Sequence, residues 1–332
     1  MSKKHLINNH AINGEEFIDI NQQITFLEQR GFKITNKNEL AHIITNYGYF
    51  RLFHTFIPQF LDNNNRLIAP LTEKDILAIY YFDRNLATLY YQFFGYFEHK
   101  LRSNIIIQGN IECPNILKQF DYFYPNPNAQ DNIIRIIEKH IYLGATYLKP
   151  YHQVKLYPLF IIINFIDLNE AIKMMHIFKD KTTILKNFYF DNEKDFLFVC
   201  NNIMRLFRNA TAHYDRMYRF FINLDEEETQ QLNNILLGII KNPDHYQTVM
   251  NHVINNNYNT FILTIFLVYL LSRSQAKHFI YQLNQLLTKG VEEKIPNFNF
   301  INDMLTNQDA MNWPANWLEI LKYITIHKTY VS

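Results

Sequence analysis

Glycine is scarce in this sequence: 8 residues in 332, no two of them within six positions of one another. A phosphate-cradling loop needs closely spaced glycines so that backbone N–H groups can approach the anion, and that class of nucleotide site is excluded. Cysteine is scarcer still. Cys113 and Cys200 are the only two, no C-x-x-C occurs, and Cys200 falls in the apolar run FLFVC, where a small buried thiol is expected. A reducing, cytoplasmic setting fits this usage. H-E-x-x-H and G-x-S-x-G are absent and the 13 histidines are scattered, so neither a metal nor another cofactor is expected. Net charge is nearly missing too, at +1, and any polyanion must therefore be met by a local patch. The longest apolar run, FILTIFLVYLL from Phe261, is about half a membrane span, and MSKKHLINNH holds no stretch of signal-peptide length. The expectation is a soluble protein with no membrane partner.

What the sequence does have is material for a core: 48% hydrophobic residues, with 28 Phe and 22 Tyr. Asn21 is expected to cap a first helix that Gly31 stops, and Asn38 to start a second. The aromatic stretch NYGYFRLFHTFIPQF follows, closed by the turn run Asp62-Asn63-Asn64-Asn65. The clearest helix is PLTEKDILAIYYFDRNLATLYYQFFGYFEHKLRSNIIIQ, begun by Thr72 and Asp75, in which Ile76, Ile79, Leu86, Phe93, Phe97 and Leu101 recur at threes and fours. Between 113 and 150 the pattern weakens, which reads as an insertion. Periodicity resumes in YPLFIIINFIDLNEAIKMMHIF, opened by Pro158, and again from Asp191 through His213. Alternating β-branched patterns are absent. The expected class is all-α: an N-terminal helical segment over 1–70, a helical core over 71–220 carrying the 113–150 insertion, and a C-terminal helical segment over 221–332 packed on that core.

The nearly neutral chain concentrates cations in one place. FRNATAHYDRMYR, Phe207 to Arg219, sets Arg208, Arg216 and Arg219, together with Arg205 just upstream, around His213, with Tyr214 and Tyr218 interleaved. On a continuous helix Arg208 and His213 stand roughly 140° apart, while Asn209 and His213, at i and i+4, share a face. Asn209 is thus placed to orient the imidazole, and an end or bend of the helix near Tyr214 and Asp215 would bring Arg208 and His213 toward one phosphate. Such a pair suits metal-free RNA cleavage, with histidine moving a proton and guanidinium meeting the developing phosphorane charge. A basic helix terminus interacting with its own carbonyls has the same composition. Cations alternating with aromatic faces at Arg205, Tyr214, Arg216 and Arg219 suit RNA phosphates and unpaired bases, or a solvated basic face. Glu98 and Arg102 are spaced for an intrahelical ion pair, and Asp83 with Arg84 for a structural salt bridge.

RNATAHYDRMY resembles the R-N-x-x-A-H-Y-x-R signature of the abortive-infection (Abi) family of the AbiD/AbiF type. Three further blocks match in order: NYGYFRLF, FDRNLATLYYQFFGYFEHKLR, and the closing MNWPANW, where Asn312-Trp313 stands in place of the usual Gly-Phe. That family is placed among the HEPN proteins, and the resemblance implies a HEPN-like helical bundle with additional N- and C-terminal helices. It implies a metal-independent endoribonuclease site with Arg208 and His213 as the catalytic pair and Asn209 as the polar residue beside them. Glu98, as the acid of its block, would reach from the long helix to position Arg208 or His213, with Arg102 beside it on the RNA-facing side. A phage-defence or toxin-like role, a homodimer with the site at its interface, and a small noncoding RNA antitoxin as a restraining partner are implied as well. The other reading is a module that holds a structured RNA on the same scaffold without cutting it.

Overall fold

The computed structural model describes residues 19–54, 60–62, 64, 66–213, 216–252, 257–290, 295–304 and 311–328. The chain divides into two compact units, Met1–Tyr81 with Glu293–Ile301, and Phe82–Glu292 with Asn302–Ser332.

In the first unit, α1 (Ile20–Gln29) is capped by Asp19 rather than Asn21. The Asp19 carboxylate accepts the Gln22 N–H at 2.8 Å while the Gln22 side chain accepts the Asp19 N–H at 2.9 Å, so two otherwise orphaned donors are satisfied reciprocally. Asn36, not Asn38, caps α2 (Lys37–Tyr47) by accepting from the Asn38 and Glu39 amides. Gly48, at φ +81°, ends α2; a five-residue π-helical turn, Phe50–His54, follows. Of the expected Asp62–Asn65 turn, Asn63 and Asn65 lie outside the described residues. The long helix α3 (Glu73–Glu112) starts where expected, with Thr72 and Asp75 capping each other.

The second unit is organised on α3 from Phe82 onward. Leu86, Tyr90, Phe93, Phe94, Phe97 and Leu101 are all sealed from solvent, at roughly 1.5–3 kcal/mol each for a large apolar side chain. Around it come α4 (Ile116–Phe123), α5 (Pro127–Tyr142), α6 (Lys149–Gln153), α7 (Leu159–Ile162), α8 (Leu168–Met174), α9 (Thr182–Asn187), α10 (Glu193–Phe198) and α11 (Arg205–Ala212). Gly109 is needed for one close approach, since a Cβ there would lie 2.2 Å from Leu159 Cδ2. The single helix expected after Pro158 is broken into α7 and α8. Asp167 takes the cap of α8 by accepting the Glu170 N–H at 2.8 Å, and a strong N-cap outweighs continued apolar periodicity. From Asn192, which caps α10, the chain instead runs unbroken to Ala212. Its middle, Val199–Met204, is wound as a π-helix whose Val199, Cys200, Ile203 and Met204 are buried. Burial pushes the Cys200 thiol far up, consistent with an inert packing group.

The all-α class holds with one short exception among the described residues. β1 (Phe221–Asn223) and β2 (Asn257–Asn259) pair antiparallel, Phe221 opposite Asn259. Between and after them come α12 (Glu226–Ile239), α13 (Pro243–Met250), α14 (Thr260–Leu270), α15 (Arg273–Lys289), α16 (Phe298–Met304) and α17 (Trp317–His327). The apolar run is α14, buried at every residue except Tyr269; no helix among the described residues is long and apolar enough to cross a membrane. Two lysines, Lys328 buried and Lys100 half-buried, close its C-terminal end. Lys100 donates to the Leu270 carbonyl at 2.9 Å and Lys328 to Leu271 at 2.7 Å and to Val268, which satisfies carbonyls the helix leaves open. Burial pushes these ammonium groups down, to about 8 and about 7. In MNWPANW, Asn312 sits at φ +52°, a left-handed conformation that glycine, and after it asparagine, adopts most readily. Trp313 packs against Phe261 and Trp317 at 5.2 and 5.5 Å between ring centroids.

A candidate active site at the end of α11

The motif helix is fixed to α3 by one aromatic anchor. Phe207 is fully buried, its ring 4.7 Å from Tyr90, 5.0 Å from Phe94, and stacked on Phe220 at 5.8 Å. With Phe207 inward, Arg208 and Asn209 come to the half-exposed side. The Arg208 Nε–H donates to Glu98 Oε1 at 2.8 Å, and the other carboxylate oxygen lies 3.3 Å from an Arg102 terminal nitrogen. Glu98 therefore serves both readings at once, as the i,i+4 partner of Arg102 and as the tether of Arg208. It reaches Arg208, not His213. Arg102 also donates to the Ile166 carbonyl at 3.3 Å, so its charge is largely committed within the protein.

Only Nε of Arg208 is taken by Glu98, which leaves the two terminal amino groups of the guanidinium fork outside that bond. The guanidinium carbon lies 5.9 Å from the centre of the Tyr91 ring, within cation–π range. Tyr91 escaped sequence reasoning, although it precedes Glu98 by two helical turns and so shares its face.

His213 is the residue at which α11 ends. Its φ and ψ of −92° and 8° leave the helix, its N–H donates to the Asn209 carbonyl at 2.9 Å, and its side chain is exposed. The expected orienting contact takes a different form: a backbone bond joins Asn209 and His213, and among the described residues no side-chain hydrogen bond connects them. The helix ends one residue ahead of Tyr214 and Asp215, which lie outside the described residues.

The cations around this end differ in setting. Arg205, at the start of α11, is half-buried with an Nε that has no acceptor among the described residues. Arg216 and Arg219 are half-buried beside the 3-10 turn Met217–Arg219. That turn is held by Asp83. The Asp83 carboxylate, wholly buried, accepts the Tyr218 N–H at 2.9 Å and the Met217 N–H and pairs with Arg84. Burial pushes its pKa up to about 6, against the lowering pull of Arg84 and the backbone donors. The salt bridge was legible in the sequence; its grip on the turn after the motif, 135 residues away, was not.

Among the described residues no three His, Cys, Asp or Glu side chains gather to hold a metal ion. The groups assembled here are an oriented guanidinium fork, an exposed imidazole and further half-buried cations, a set suited to an anionic phosphodiester and to proton transfer. No curated protein and no solved structure matches the chain. A family model, that of Abi-like proteins, matches residues 42–219, more than half of the chain and the whole stretch from α2 to the turn after the motif, and the protein belongs to that family.

Proposed function

We propose that this protein is a phage-defence ribonuclease of the AbiD/AbiF type on a HEPN scaffold, cutting RNA at the Arg208/His213 site. The observation that carries the reading is the tether of Arg208 to Glu98, which fixes one edge of the guanidinium and leaves the other for a phosphate, on the same helix that the exposed imidazole of His213 ends. In the reaction a ribose 2′-oxygen attacks the adjacent phosphorus and the P–O5′ bond breaks. A 2′,3′-cyclic phosphate and a 5′-hydroxyl result. Arg208 meets the charge developing on the phosphorane oxygens, and His213 removes the 2′ proton or supplies the 5′ one. A single imidazole serves one of these transfers per event, and a homodimer presenting two copies of the site would supply both. Leu206 and Tyr91, exposed apolar residues on α11 and beside Arg208, suit such a contact. A small structured RNA occupying the same cations would restrain the enzyme. One feature favours the other reading, an RNA-holding module without catalysis: Glu98 sets a negative charge against the guanidinium that must attract phosphate.

Sequencing RNA ends after brief expression of wild type and of His213→Ala decides between them. New 5′-hydroxyl ends in the wild type alone, persisting for the purified protein in excess chelator, are expected. Identical ends in both strains would leave the non-cleaving reading.

A further inference from the structure

The tip formed by α5 and α6 carries a surface the motif does not explain. Residues 135–155 hold four Lys/Arg against one Glu, net +3 in a chain whose total is +1. The single acid, Glu138, lies 3.7 Å from His152 Nε2. Large apolar and aromatic side chains stand out into solvent on the same tip: Tyr142 is 89% exposed, Tyr147 64%, and Leu143 and Val154 are comparably bare. Exposed residues scattered singly need no account, but four within thirteen positions do.

Close turns shape the segment. α5 ends at Tyr142, and Gly144, at φ +106°, turns the chain back. A 3-10 turn over Thr146–Leu148 follows, with Leu148 sealed inside as its anchor while Tyr147 and Lys149 on either side face outward. Lys155, exposed, holds φ +52° just after α6, a conformation a lysine adopts at some cost. Lys139 completes the set at the end of α5.

The tip also connects to the motif. His140 of α5 packs on Phe165 at 4.8 Å between ring centroids, and the next residue, Ile166, gives its carbonyl to Arg102, the partner of Glu98. A short series of contacts thus runs from the tip to the residue that holds Arg208.

We infer that the α5–α6 tip is a second RNA contact, binding a single-stranded stretch by stacking bases on Tyr142 and Tyr147 and taking its phosphates on Lys139, Lys149 and Lys155. Cations interleaved with exposed aromatic faces are the chemistry of sequence-tolerant single-strand binding. This deepens the proposed function and rests on it: the tip selects substrates with an unpaired tail beyond the cleaved bond.

The test uses the full chain and a labelled single-stranded 20-nucleotide RNA. Tyr142→Ala/Tyr147→Ala is expected to weaken binding at least fivefold, and Lys149→Glu/Lys155→Glu to reduce the salt slope by about 1.4, at roughly 0.7 per phosphate contact. For cleavage, the same variants raise KM for the long RNA and leave kcat, and leave a tetranucleotide unaffected. Both substitutions lie on exposed side chains, and far-ultraviolet circular dichroism checks that they fold. If the wild type binds the RNA and the variants match it, the tip inference fails while the ribonuclease reading stands. Wild type that binds without cutting removes the ribonuclease reading and leaves the tip to the binding arm. Wild type that binds no RNA overturns both. Variants that lose affinity for vesicles of anionic phospholipid but keep it for RNA would overturn the inference in favour of a membrane surface.

Discussion

Replacing Glu98 by Gln keeps the size of the side chain and one carbonyl acceptor for Arg208 Nε while removing the charge that holds two guanidinium groups. A charge-assisted hydrogen bond of the kind seen at 2.8 Å contributes about 1.5–3 kcal/mol. Glu98 is 10% exposed and Arg208 30%, so solvent screening places this pair at the lower end. The Arg102 contact, at i,i+4 and 3.3 Å, adds a few tenths, and the new amide nitrogen facing either arginine subtracts a little more. The expected loss is about 1–2 kcal/mol in urea unfolding, with the slope against denaturant unchanged. On cleavage the effect is larger. Removing a preorganised donor from a developing oxyanion costs roughly 10²–10³ in kcat, and an arginine still present but no longer tethered costs about 10–100, with KM little altered. The double variant Glu98→Gln/Arg208→Ala is the decisive arm. If Glu98 acts through Arg208, the double variant cleaves no more slowly than Arg208→Ala alone. Multiplying effects would show that Glu98 acts independently of the guanidinium, and the tether would lose its functional meaning.

Asp83 offers a pH test. Its folded-state pKa, raised by burial to about 6, lies above the ordinary carboxyl value of about 3.9; the folded state binds the proton more tightly, so its stability term is present in full below pH 4 and is lost as pH rises through 6. The wild type is expected to lose up to about 3 kcal/mol more between pH 4 and 7 than Asp83→Asn does, read as the difference between their urea midpoints; a smaller loss in the wild type would show that Arg84 and the backbone donors hold the carboxylate ionised. Arg216→Ala is expected to weaken RNA affinity and lower its salt slope by about 0.7, whereas His213→Ala is expected to leave both nearly intact; an unchanged slope in Arg216→Ala places the phosphate contacts elsewhere. Mixing His213→Ala chains with wild type should depress activity more than dilution does if the site is shared across a homodimer, and a strictly monomeric active species in sedimentation would end that idea.

How much of this was legible in the sequence depended on range. The stripe from Ile76 to Leu101 and the Thr72/Asp75 start gave α3 correctly because helix periodicity and capping are local. The caps expected at Asn21 and Asn38 each lie two residues past the observed ones, because Asp19 and Asn36 are the better acceptors. Asp167 broke a helix that its apolar neighbours would have continued. The two lysines that close α14 were invisible, since nothing local in Lys100 or Lys328 tells that it will dock on carbonyls some 57–170 residues away. At the site, the residue types carried the reading of Arg208, His213 and Glu98. That Glu98 would choose Arg208 over His213 needed the packing of Phe207 on Tyr90 and Phe94, which turns one face of α11 inward and so decides which side chain meets α3.

The bond between Glu98 and Arg208 spans 110 residues, and that span has a consequence for how the protein is made. Closing a loop of this length costs about 4 kcal/mol in chain entropy, which a growing chain recovers only once the packing around Phe207 is available. At synthesis rates of about 5–20 residues per second, roughly 5–20 s separate the appearance of Glu98 from that of Arg208. During that interval α3 can form, but the tethered guanidinium does not exist. A nascent chain, surrounded by messenger and ribosomal RNA, therefore carries no assembled site until the motif helix has emerged and docked.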